Sequence, residues 1–155
     1  MEAIWTSVVA VVGTLLGVVV THHFQRRATV RGEEFARSEA LRQERIATYS
    51  AFAAAVEEYR RGQADRWYGS RRDPGGPEYI AVRDRAHHLR TAARQALYRV
   101  KLLTVDAEVV LAADRAYVNT REISTATEED GHRERDRESR EAIEAFVTRA
   151  SPLVR

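Results

Sequence analysis

The sequence predicts an all-α protein: an N-terminal transmembrane helix, a charged helical stalk, then an antiparallel helical hairpin within a small three- to four-helix bundle. Three observations carry this. An uncharged run, AIWTSVVAVVGTLLGVVVT, occupies Ala3 to Thr21. A heptad series of apolar residues extends from Tyr79 to Leu103, and the breaker Asp73-Pro74-Gly75-Gly76-Pro77 stands just before it. No stretch alternates at period two for long enough to make a strand.

The N-terminal run has the dimensions of a membrane span. Nineteen residues rising about 1.5 Å each make roughly 28 Å of helix, close to the hydrocarbon thickness of a bilayer. Its ten strongly apolar side chains (Ile4, eight valines and leucines from Val8 to Val19, and Val20) favour insertion by roughly 3 to 6 kcal/mol in sum. A cleaved signal peptide would begin with basic residues, whereas this chain begins Met1-Glu2, and no small-x-small cleavage site precedes the charged flank. Positive charge follows the run instead, in His22-His23-Phe24-Gln25-Arg26-Arg27. The positive-inside rule then predicts a short external N-terminus and a cytoplasmic C-terminal body, held in the inner (cytoplasmic) membrane. Gly13 and Gly17 form a small-xxx-small pair through which two such helices could pack.

Three segments are expected: an anchor over 1–21, a stalk over 22–45 and a bundle over 46–155. Beyond the anchor the chain is long enough for one small domain. Cysteine is absent, which excludes disulfide staples and thiol chemistry. Net charge is only +2, because 23 acidic residues interleave with the basic ones. A nucleic-acid binder segregates its basic residues, so the alternation in Arg133-Glu134-Arg135-Asp136-Arg137 speaks against that class.

In the stalk, from Arg26 to about Arg45, good helix formers carry few apolar residues, and Gly32 is a candidate bend. From Ile46 the pattern changes. Ile46, Tyr49, Phe52 with Ala53, Val56, Tyr59 and Gln63 share one helical face that ends near Trp67-Tyr68. Two prolines and two glycines at 73–77 force a turn. Beyond it Tyr79, Val82, Ala86, Leu89, Ala93, Ala96, Val100 and Leu103 recur at alternating intervals of three and four, a seam for the preceding helix. The small alanines suit Tyr49, Phe52 and Tyr59 opposite. Asp106 is the expected N-cap of the next helix, whose buried stripe is Val109, Ala113, Ala116, Thr120 and Ile123. Ser124 to His132 reads as a polar loop. The last helix, about Arg133 to Ala150, presents Ser139, Ile143, Phe146 and Ala150, with Leu153 beyond Pro152.

No constellation for chemistry emerges, so no catalytic, cofactor-binding or metal-binding residues are assigned. The adjacent pairs His22-His23 and His87-His88 point about 100° apart on a helix and cannot chelate as i, i+4 histidines do. Asp84 and His88 have the spacing but lack a third ligand, and His132 sits apart from them. Phosphate loop, nucleophile elbow and HExxH elements are all missing from the chain. The aromatic and cationic residues Trp67, Tyr68, Arg71, Arg72 and Tyr79 bracket the turn. They either cap the end of the bundle or form a partner-binding patch.

The order of features resembles small single-pass membrane-anchored helical proteins of high-GC bacteria. The resemblance rests on the N-terminal span, on RGEEFARSEALRQERIATYSAFAAAVEEY and on RVKLLTVDAEVVLAA. It is compositional, covers nearly the whole chain, and implies no activity. The first half is also similar to the b-type stator stalk of rotary ATP synthases, from which the turn at 73–77 departs.

The expected function is therefore non-enzymatic: a bilayer-anchored bundle that binds another protein or itself, with no cofactor and no small-molecule substrate. Two alternatives are a membrane-active or pore-forming effector with a regulatory domain, and a tethered nucleic-acid binder using Arg60, Arg61, Arg66, Arg71 and Arg72.

Overall fold

The computed structural model describes the chain from Glu2 to Arg155, with side chains from Gly32 onward. Among the described residues there are four helices, α1 (Glu2–Arg72), α2 (Pro77–Leu103), α3 (Ala107–Glu122) and α4 (Glu129–Ala150), with 3-10 turns at Ile123–Thr125 and Ser151–Val154. The protein is all-α, as the periodicity predicts. Among the residues with described side chains, no helix is long and apolar enough to cross a membrane. The run Ala3–Thr21 lies outside those residues, and so do Gly13, Gly17 and the flank at 22–27.

Two compact units divide the chain, Met1–Leu41 and Arg42–Arg155. In the first, Gly32 falls within the helical assignment, Phe35 is exposed, and the Ser38 hydroxyl donates to the Phe35 carbonyl at 2.8 Å. The second unit holds the core.

The reversal between α1 and α2 is chemically specified. Gly75 has φ +99°, a left-handed conformation that side chains rarely adopt. Pro77 opens α2 in its first turn, where its missing N–H would have had no helical partner. The hairpin residues then bury as expected: Tyr49, Phe52, Val56, Tyr59 and Gln63 from α1, and Ala86, Ala93 and Val100 from α2. Leu97, which the heptad series omits, is buried as well. The helices approach closely at Gly62, where an added Cβ would stand 2.6 Å from Leu89 Cδ1 and 3.7 Å from Ala86 Cα.

The large aromatics find ring partners on α3 and α4. Phe52 meets Phe146 edge-on at 4.8 Å, Tyr49 meets Phe146 at 6.0 Å, and Tyr59 lies 5.9 Å from Tyr117. Such pairs contribute about 0.5–1.5 kcal/mol each beyond the area they bury. Helix α3 begins as expected: Asp106 Oδ1 accepts from the Glu108 amide at 2.9 Å and from the Val109 amide at 3.3 Å.

Several buried polar groups are paired across helices. The Tyr49 and Thr104 hydroxyls lie 2.9 Å apart, and those of Thr120 and Ser139 2.7 Å apart. Gln63 Nε2 donates to the Arg121 carbonyl at 2.8 Å and to Ser124 Oγ at 3.0 Å. Leaving any of these unpaired would forfeit about 1–3 kcal/mol.

The expected loop at 124–132 is shorter in the structure. Helix α4 already starts at Glu129, after an extended Glu128. Its first turn carries Glu129 and Asp130, and negative charge is favoured there by the helix dipole. The acidic composition that reads as a loop is thus a helix start, and it places His132 inside the helix.

Candidate functional site

The bundle end at the α1–α2 turn is built around Trp67, which α1 delivers on the same face as Val56 and Gln63. Its indole N–H donates to the Ala126 carbonyl at 2.8 Å, tying α1 to the connection before α4. The His132 ring stacks on the indole, centroids 4.2 Å apart and planes 11° from parallel. Tyr68 meets both rings edge-on, at 4.9 Å and 5.2 Å. The Arg71 guanidinium covers the indole at 4.3 Å from its centroid and also donates to the Thr127 carbonyl. A cation over an indole face adds about 0.5–1 kcal/mol at an exposed site.

This arrangement divides the sequence-based patch. Trp67 is only 4% exposed and belongs to the core, so it presents no surface to a partner. Tyr79 packs half-buried against Gly69. Tyr68 (48% exposed), Arg71 and Arg72 remain accessible, and Arg72 faces Glu78 at 3.4 Å. His132 is the participant that sequence reasoning misses. At 3% exposure it is buried, and its Nδ1 has no partner among the described residues. A signal was present: His132 stands seven residues before Ser139 and continues the Ser139, Ile143, Phe146 and Ala150 stripe.

Midway along the bundle, a half-buried charge network links α1 to α4. Arg60 bonds Glu57 at 2.7–2.9 Å and also pairs with Asp136, which in turn pairs with Arg140. Hydrogen bonding to Arg60 holds the Glu57 carboxyl below its ordinary value. Burial pushes Asp136 upward, but its bonds to Arg140 and Arg60 outweigh that and leave it lowered. The same partners raise the Arg60 guanidinium further, so it stays charged. Burial drives the Tyr59 phenol up to about 12.

Two grooves open on the surface. One, of about 520 Å³ between α3 and α4, has Ala112, Ala142 and Ala145 in its lining and Arg115, Glu138 and Glu141 among its charged groups. The other, of about 460 Å³ between α1 and α4, is apolar and includes Ile46, Tyr49, Phe146 and Val154 in its lining. At the corner joining α2 to α3, Leu102 is 88% and Val105 96% exposed, one turn beyond the exposed Tyr98. His87 and His88 are exposed on α2. Among the described residues no group of three or more histidines and carboxylates converges as a metal site would require.

No curated protein and no solved structure matches the chain. The family model described as KilB plasmid transfer protein matches residues 46–154, from the first residue of the α1 core face to the end of the last 3-10 turn. That span exceeds half of the chain and takes in the whole bundle core. The chain belongs to the KilB plasmid transfer protein family.

Proposed function

We propose that the chain is a membrane-anchored component of plasmid transfer that works by binding, not by catalysis. The anchor would be Ala3–Thr21, leaving the bundle on the cytoplasmic side, where it engages another protein or a second copy of itself. One observation carries the reading: the plasmid-transfer family match falls on the helical bundle, residues 46–154. The transfer-related part is thus a compact scaffold whose interior is filled by its own side chains.

Further support comes from the sequence and from the surface. Positive charge follows the apolar run, the arrangement that retains a flank in the cytoplasm. On the bundle, Leu102 and Val105 are apolar side chains left in water at a corner where a polar residue would serve folding equally well. Tyr68 and Arg72, residue types that interfaces favour, are exposed at the opposite end.

Photocrosslinking from position 102 in intact membranes of plasmid-bearing cells tests the binding. A discrete adduct with one protein, or with a second copy, is expected; diffuse or absent adducts would overturn it. Topology is read separately. A reporter fused after Arg155 should report cytoplasm, and a chain lacking residues 3–21 should leave the membrane fraction.

A further inference from the structure

A recess of about 220 Å³ lies between α1, α2 and the end of α3, and its lining includes three arginines from three helices: Arg66, Arg90 and Arg121. All three stand close enough to the Tyr59 ring for their charges to favour its phenolate, although burial prevails there. Several arginines of the bundle are matched with carboxylates, as in Arg60 with Glu57, Arg137 with Glu134 and Arg140 with Asp136. Two of the three in this recess are not. Among the described residues Arg66 has no ion pair, and Arg90 has the Tyr117 hydroxyl as its neighbour. Only Arg121 is matched, by Glu122 at 2.8 Å on the rim.

Three positive charges against one carboxylate leave this recess with an excess of two. Like charges drawn together repel, and an anion seated among them would relieve that repulsion. The planar fork of a guanidinium matches phosphate oxygens bidentately, and two forks from different helices could clamp one group. A neutral donor is at hand as well. Ser124 Oγ accepts from Gln63 Nε2 at 3.0 Å, so its own proton remains to be given. The lining supplies directed donors, surplus charge and a volume suited to a single small group, not to a polymer.

We propose that Arg66 and Arg90, with the Ser124 hydroxyl, form a binding site for a phosphate group, either free phosphate or that of a small phosphate monoester. The site is distinct from the surfaces considered above for a protein partner and does not depend on that reading.

Isothermal titration of the full chain in detergent tests it. Inorganic phosphate and a nucleoside 5′-monophosphate are the two ligands, with chloride holding the ionic strength constant. Saturable binding of one or both is expected, and the stronger of the two identifies the source. Arg66→Gln and Arg90→Gln should each weaken it at least about tenfold, since charge-assisted bonds contribute about 1.5–3 kcal/mol. Arg137→Gln, on the outer face of α4, should leave it unchanged. Arg90→Gln also removes the Tyr117 contact, so Arg66→Gln carries the test if that variant unfolds. Absence of saturable binding by either ligand, or undiminished affinity in Arg66→Gln, overturns the proposal.

Discussion

The imidazole of His132 lies flat against the indole of Trp67, 4.2 Å between centroids, with its Nδ1 buried and unpartnered. Shape and stacking, not hydrogen bonding at that nitrogen, hold the ring. His132→Phe should therefore keep stability within about 1 kcal/mol, since the stack survives and the unpaired polar atom goes. His132→Ala should lose about 2–4 kcal/mol, the range for a large side chain removed from a packed site. Thermal unfolding of both variants by circular dichroism separates these outcomes. Equal losses would show that the ring is held by its polar atoms.

Acid sensitivity should centre on the bond between Arg60 and Asp136. Asp136 and Glu57 are both lowered in the folded protein. A lowered carboxyl contributes stability that is present above its unfolded value and lost as pH falls through the folded one. The melting temperature should thus hold down to about pH 4, near the unfolded carboxylate range, and fall below it. Asp136→Asn should flatten that fall while lowering stability at neutral pH. A melting series against pH in both chains reads the two effects.

At alkaline pH the sign reverses. Tyr59 is raised to about 12, so its contribution is complete below the unfolded tyrosine value of about 10. It is then lost as pH climbs toward the folded value. Tyr59→Phe should remove this component of the alkaline limb, and the phenolate absorbance of one tyrosine should appear late in a spectroscopic titration.

Gly62 allows a close approach of α1 to α2, and the neighbour an added Cβ would meet first is the flexible tip of Leu89. Gly62→Ala should be nearly neutral, because about 1 kcal/mol of gained helix propensity offsets displacement of that tip. Gly62→Val should cost about 1–3 kcal/mol through overpacking. Urea unfolding midpoints report the ordering, and a destabilising alanine would show that Leu89 cannot yield.

Removing the Asp106 carboxylate should cost about 1 kcal/mol, since two amides of the first α3 turn lose their acceptor. Asp106→Asn should restore most of it in the same unfolding measurement.

Local chemistry made most of this fold legible. Asp106 caps because its side chain reaches amides two and three residues on, and Gly75 turns because its own φ demands it. The stripes on α2, α3 and α4 are periodic within single helices. What escaped depends on residues far apart in the chain. Trp67 stands beside exposed Tyr68 near a turn, and only its bond to the Ala126 carbonyl shows that it points inward. His132 reads as loop because Glu128-Glu129-Asp130-Gly131 suggests solvent, whereas Glu129 and Asp130 begin a helix. The recess at Arg66, Arg90 and Arg121 needs three helices to be assembled before it exists.

The hydroxyl pair between Thr120 and Ser139 has a consequence for uniqueness. Around it the α3 surface is smooth, with Ala112, Ala113 and Ala116 buried along the helix. Small, similar side chains on α3 do not by themselves fix how far along it α4 sits. A slide would strand the Ser139 hydroxyl away from water at about 1–3 kcal/mol, whereas Thr120 keeps its bond to the Ala116 carbonyl. Thr120 and Ser139 thus act as an index mark, selecting one alignment from several that the alanines alone would accept.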